Sequence, residues 1–145
     1  MKEQITVELI GNPSIEVRQV MPWDDKETVR DKMAKPFKTN KSALIKVLYV
    51  DKKGNKTKKI ISNPSEFNYD GASILFRIGK GNMKLLIPAL FHDIICIDKS
   101  LVDFNRHLSS LIFKDLLIQC KVNKIIAQVM FLAVENYQKF MRGWK

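Results

Sequence analysis

The stretch Phe67-Asn68-Tyr69-Asp70-Gly71-Ala72-Ser73, continuing to Ala89-Leu90-Phe91-His92-Asp93, divides the chain into two halves of different hydrophobic period. Upstream, apolar residues recur at every second position; downstream they recur at helical spacing. Immediately upstream, Leu44-Ile45-Lys46-Val47-Leu48-Tyr49-Val50 is the strongest strand, rich in β-branched and aromatic residues. Asp51-Lys52-Lys53-Gly54-Asn55 is turn chemistry, residues 56–62 return as a second strand, and Asn63-Pro64-Ser65 breaks the sheet. Downstream of Gly71, residues 74–78 form a short apolar segment and residues 79–82 a glycine-containing loop. Residues 83–97 then predict one helical region, with Pro88 in the first turn of its regular part. A connector over 98–101 leads to a helix capped by Asp103 and running to Cys120, with Phe104, Leu108, Leu111, Ile112 and Leu116 as its apolar residues. Asn123 caps a last helix whose stripe is Ile126, Met130, Val134 and Tyr137.

Further from the centre the signals are thinner. Residues 4–20 alternate around the turn Gly11-Asn12-Pro13-Ser14 and read as a β-hairpin. Asp24 or Asp25 caps a short surface helix to about Ala34, Pro36 stops it, and residues 37–42 read as a polar loop. Strands first and helices afterwards mean α+β: one or two N-terminal β-hairpins packed on a bundle of about three C-terminal helices. The whole of 1–145 reads as a single domain, with residues 1–43 as an added hairpin and short helix on a core of 44–140.

The composition, 46% hydrophobic and 28% charged, is that of an ordinary soluble globular protein. The polar–apolar alternation of the first eight residues does not read as a secretory signal, and no apolar run reaches the length of a membrane span. Cys96 and Cys120 sit in apolar helical settings without metal-site spacing, so reduced, buried thiols are expected. The formal charge is +10, spread over both halves, with a dense spot at residues 52–59. That charge favours an acidic partner without choosing among nucleic acid, another protein and a membrane face.

Asp70, His92 and Asp93 are the sharpest constellation for chemistry. An imidazole with two carboxylates suits a divalent metal, or an acid–base pair in which an Asp fixes the tautomer. Helical neighbours diverge by about 100°, so His92 and Asp93 do not readily face one centre; the competing reading is a buried polar clasp holding the Asp-Gly turn to two helices. His107 in the next helix is an auxiliary metal candidate. Cys96, four residues after His92, shares its helical face, but no oxyanion donor or orienting group completes a nucleophile. Lys52, Lys53, Lys56, Lys58 and Lys59 crowd a hairpin, either as a basic ribbon for a partner or polyanion, or as guards of a sheet edge. No aromatic residues interleave with them, which argues against stacking on single-stranded bases. Phe140, Met141 and Trp144 either close the core or anchor a partner.

Taken in order, Phe67, Asp70-Gly71-Ala72-Ser73-Ile74, Ala89-Leu90-Phe91-His92-Asp93, Arg106, Phe113 and Ala133-Val134 resemble an uncharacterised family widespread in bacteriophages and prophages, domain of unknown function family 1353. Its pattern is a β-hairpin, an aromatic, an Asp-Gly-Ala-Ser turn, then helices with Ala-x-x-His-Asp, Ala-Asp-x-x-Phe and Ala-Val. This chain departs from the pattern at Leu75, where members carry Pro, and at Ser110 and Leu108, where they carry acids. The resemblance implies a phage or prophage protein, and the missing carboxylate points to a non-catalytic one. The expectation is a virion neck, tail or baseplate component that binds other phage proteins, located in the host cytoplasm, the virion or both, with no cofactor expected and a divalent metal left open. The alternatives are a small metal-dependent hydrolase using Asp70, His92 and Asp93, and an accessory factor that binds host nucleic acid or a defence protein through its lysines.

Overall fold

The fold is given by a computed structural model that describes residues 2–70 and 83–141. It is α+β, with two small antiparallel sheets from the N-terminal half and, among the described residues, four α-helices, three of them C-terminal. The first sheet has the order β1 (Gln4–Ile10), β4 (Leu44–Val50), β5 (Lys56–Ser62). The second has the order β2 (Ile15–Val17), β3 (Phe37–Thr39), β6 (Phe67–Tyr69).

The alternation that predicts the strands also sets their faces. Val7, Ile45, Val47, Tyr49 and Ile61 are buried inward, while Glu8, Lys46, Leu48, Lys56, Lys58 and Ile60 face out. Between β4 and β5, Gly54 takes a positive φ of 86° and Asp51 accepts the amides of Lys53 and Asn55 at 2.9 Å. The expected 4–20 hairpin does not form. β1 runs beside β4, from Gln4 opposite Val50 to Ile10 opposite Leu44, and β2 pairs instead with β3. Turn chemistry at 11–14 gives a change of sheet rather than a reversal, because the matching apolar row for β1 lies on β4. Residues 37–42 are accordingly not all loop, since 37–39 supply the centre of the second sheet.

The chain crosses between sheets at Asn63, 2% exposed, whose amide bonds Ala43 N–H, Lys41 O and Pro64 O at 2.7–2.9 Å. The break read at Asn63-Pro64-Ser65 is thus a hydrogen-bonded junction.

Helix α1 (Lys26–Ala34) is capped by Asp25, buries none of its residues, and is tied down by Arg18–Asp31 and Lys32–Asp24 ion pairs. Helix α2 (Leu86–Ile97) follows a 3₁₀ turn (Met83–Leu85), with Pro88 in its first turn, where its missing N–H breaks no intrahelical bond. Ten of its twelve residues are buried, as expected of a central helix. Helix α3 (Arg106–Gln119) starts later than expected: Asn105 is its cap, while Asp103 and Phe104 take left-handed φ of 54° and 59° and leave Phe104 half-exposed. In α4 (Lys124–Met141), Asn123 accepts the Ile125 amide at 2.8 Å as a cap. Its inner stripe is Ala127, Met130, Val134 and Gln138, while Ile126 faces outward; the Tyr137 side chain lies outside the described residues.

One apolar cluster joins the inner rows of both sheets to α2 and α3; a second joins α3 to α4 through Phe113, Leu117, Ala127, Met130 and Val134. No helix among the described residues is long and apolar enough to cross a membrane.

Candidate functional site

Helix α2 carries His92 and Asp93 into the interior, 3% and 7% exposed, and the turn of the helix sends them to different neighbourhoods. Asp93 shares a cavity of about 300 Å³ with Phe67 and Tyr69 of the second sheet and with Asp70 just after it, and Lys35 and Ile97 also line it. Asp70 and Asp93 thus line one cavity. The Tyr69 hydroxyl donates to Leu86 O at 3.0 Å. Burial, and then the charge of Asp93, push the Tyr69 phenol far above its ordinary range, so it stays a neutral donor.

His92 looks the other way. Its ring tilts against Phe113 at 5.3 Å between centroids, and its Nε2 lies 3.6 Å from Cys96 Sγ, so the shared face of the i, i+4 pair is real. Behind them lies a polar network that joins three helices. Gln138 of α4 is fully buried; its Nε2 donates to Ser110 Oγ at 2.8 Å, and its Oε1 accepts from Ser109 Oγ at 3.1 Å and lies 3.9 Å from Cys96 Sγ. Ser110 Oγ in turn donates to Arg106 O at 3.3 Å. Sequence reasoning does not reach Gln138. The available signal is its place one turn after Val134 on the inner stripe, together with two serines inside an apolar run.

His107 stands in a third place. Its Nε2 is 3.1 Å from Glu3 and its Nδ1 3.6 Å from Glu135, so both ring nitrogens face carboxylates, on an N-terminal segment and on α4. The bond to His107 holds the Glu3 carboxyl below the usual carboxylate range, helped by the Tyr49 hydroxyl. Tyr49 itself is pushed up to about 12, mainly by burial. His107 is thus engaged apart from His92 and Asp93. Among the described residues no group of three or more His, Cys, Asp or Glu is placed to hold a metal ion. The turn residues Gly71, Ala72 and Ser73, the 74–78 segment with Leu75, and the 79–82 loop lie outside the described residues, as do Trp144 and the side chains of Phe140 and Met141.

Neither cysteine is in a disulfide; Cys96 is buried, and Cys120, half-buried, has its pKa raised by that burial. Of the five lysines singled out, Lys52 and Lys53 occupy the β4–β5 turn and Lys56 and Lys58 the outer face of β5, all exposed and without an ion pair among the described residues. Lys59 points the other way and pairs with Asp103 at 2.7 Å. Compared with models of protein families, with curated proteins and with solved structures, the chain matches none.

Proposed function

We propose that this chain is a non-catalytic binding protein, encoded by a phage or prophage, that acts as a structural or assembly component of the virion neck, tail or baseplate. The observation that carries the non-catalytic part is the placement of its reactive side chains. His92 lies in a buried network that ties α2, α3 and α4 together, while Lys56 and Lys58, without an ion pair among the described residues, stand on an exposed sheet face. Within the network, Gln138 bonds through both its side-chain nitrogen and oxygen to Ser110 and Ser109, and a buried amide held in this way fixes the packing of α4 on α3. The phage and virion part rests on the resemblance over residues 44–140.

The test is a calorimetric titration with Mn²⁺, Zn²⁺ and Mg²⁺ on wild type and His92→Ala, followed by thermal unfolding. No saturable metal heat and a Tm lower by roughly 5 °C or more in the variant are expected. Tight metal binding that disappears in His92→Ala overturns the reading. Mass spectrometry of purified, nuclease-treated particles is expected to find the chain; its absence there removes the virion role.

One observation favours a second reading, a small metal-dependent hydrolase. Asp70 and Asp93 line the same cavity beside a tyrosine that stays protonated. Saturable metal heat lost in Asp93→Asn is the result that selects it.

A further inference from the structure

The first sheet has two edges, and they are finished differently. At β1, the Gln119 side-chain amide donates to Val7 O, and the Asp115 carboxylate accepts the Val7 N–H, so α3 occupies the outward backbone groups at the middle of that edge. At β5, the described residues offer no such cover; its backbone pairs with β4 alone. The bond Asp51 N–H to Asn55 O at 3.0 Å starts the ladder, and alternation from there turns residues 57, 59 and 61 toward β4. The N–H and C=O groups of Lys56, Lys58 and Ile60 therefore point outward along the open edge.

We propose that this edge accepts an extended acidic segment of a partner protein as an added fourth strand. The proposal rests on the binding reading above and supplies its partner chemistry. The side chains at the three open positions are two exposed lysines, without ion pairs among the described residues, and Ile60, 65% exposed, all on one face about 7 Å apart along the strand. A strand laid beside them brings its alternate side chains within about 5 Å, so carboxylates opposite Lys56 and Lys58 and an apolar residue opposite Ile60 are the complement. The register extends this face inward: Lys46 lies beside Ile60 on β4, with Glu8 opposite it on β1 as the row's acid.

The same charges decide against a second copy of the chain. Two β5 edges paired antiparallel about Lys58 set lysine against lysine, the arrangement by which edge strands avoid self-association. Lysines thus reject like edges and apolar strands and leave an acidic strand as the one that gains.

The experiment uses the full chain, ¹⁵N-labelled, titrated with a capped peptide of alternating glutamate and valine, with a lysine–valine peptide and a single-stranded oligothymidylate as comparisons. Amide exchange at Lys56, Lys58 and Ile60 is expected to slow by about tenfold or more with the glutamate peptide alone. The affinity is expected to fall about tenfold between low and high salt. Ile60→Pro removes one outward N–H where no β4 bond is lost and is expected to abolish binding, while Ile60→Thr, which keeps that N–H, retains it. Exchange that is unchanged at the three wild-type amides overturns the proposal, whatever the variants do. Equal binding of the oligonucleotide to wild type and Ile60→Pro also overturns it, in favour of a nucleic-acid surface. Neither failure bears on the buried His92 network, and metal binding at Asp93 leaves the edge untouched.

Discussion

The two sheets solve the same problem with different means. In the first, three strands of seven residues carry a full ladder and an inner row of five buried side chains, so pairing and burial reinforce each other over the whole length. In the second, each strand has three residues, too short for a ladder to hold on its own. Side chains make up the difference. Phe37 and Tyr69 meet at 5.6 Å between ring centroids, and Phe67 stacks on Tyr69 at 6.1 Å. Thr39, fully buried, donates its hydroxyl to Pro64 O at 3.1 Å and accepts the Phe67 amide at 3.0 Å. A long sheet is held by repetition, and a short one by a few particular contacts.

The largest expected effect therefore lies in the first sheet. Ile45→Ala, at a fully buried position of the central strand, should cost about 3 kcal/mol in denaturant unfolding. The second sheet should respond to a subtler change. Thr39→Val keeps shape and branching but removes both hydroxyl bonds, at a cost of about 1–2 kcal/mol, with faster exchange of the Phe67 amide as its signature. If Thr39→Val costs more than Ile45→Ala, the long sheet is not the more strongly held one and the comparison fails.

The smallest effect concerns the closed edge of the first sheet. Burial raises the Asp115 carboxyl above its ordinary value, so the folded chain holds that proton more tightly than the unfolded chain. The stability linked to it is present below the unfolded value and is lost as pH rises through the folded one. Asp115→Asn keeps an oxygen for the Val7 amide and loses the titration. Its Tm should match wild type near pH 3 and exceed it by about 2 °C at neutral pH. A wild type that is the more stable of the two at pH 7 would mean the carboxylate's hydrogen bonds outweigh its burial.

The same contrast explains what could be read from the sequence. Residues 44–50 and 56–62 alternate long enough to declare both strand and face, and the helices declare their period. β3 and β6 do not: three residues cannot show a period of two, and Thr39 looks polar until its two bonds are seen. The pairing of β1 with β4 was hidden for another reason. The local turn at Gly11 competes with a distant partner, and the longer apolar register wins. In the candidate site, the divergence of His92 and Asp93 follows from helix geometry and was legible. The engagement of His107 by Glu3 and Glu135 was not, because Glu3 lies more than a hundred positions away and Glu135 comes from a different helix.

The closure of β1 by Gln119 has a consequence for synthesis on the ribosome. β1, β4 and β5 are all made by residue 62, but the side chains that occupy Val7 belong to residues 115 and 119. At about 5–20 residues per second, the nascent sheet waits several seconds with its N-terminal border bare. During that interval Glu8 is the one charged side chain on the strand, and no lysine stands there to repel a neighbouring nascent chain on the same message. Crowded polysomes are thus where this protein is most exposed to misassembly, and a trigger-type chaperone that shields residues 4–10 until α3 emerges should raise its soluble yield.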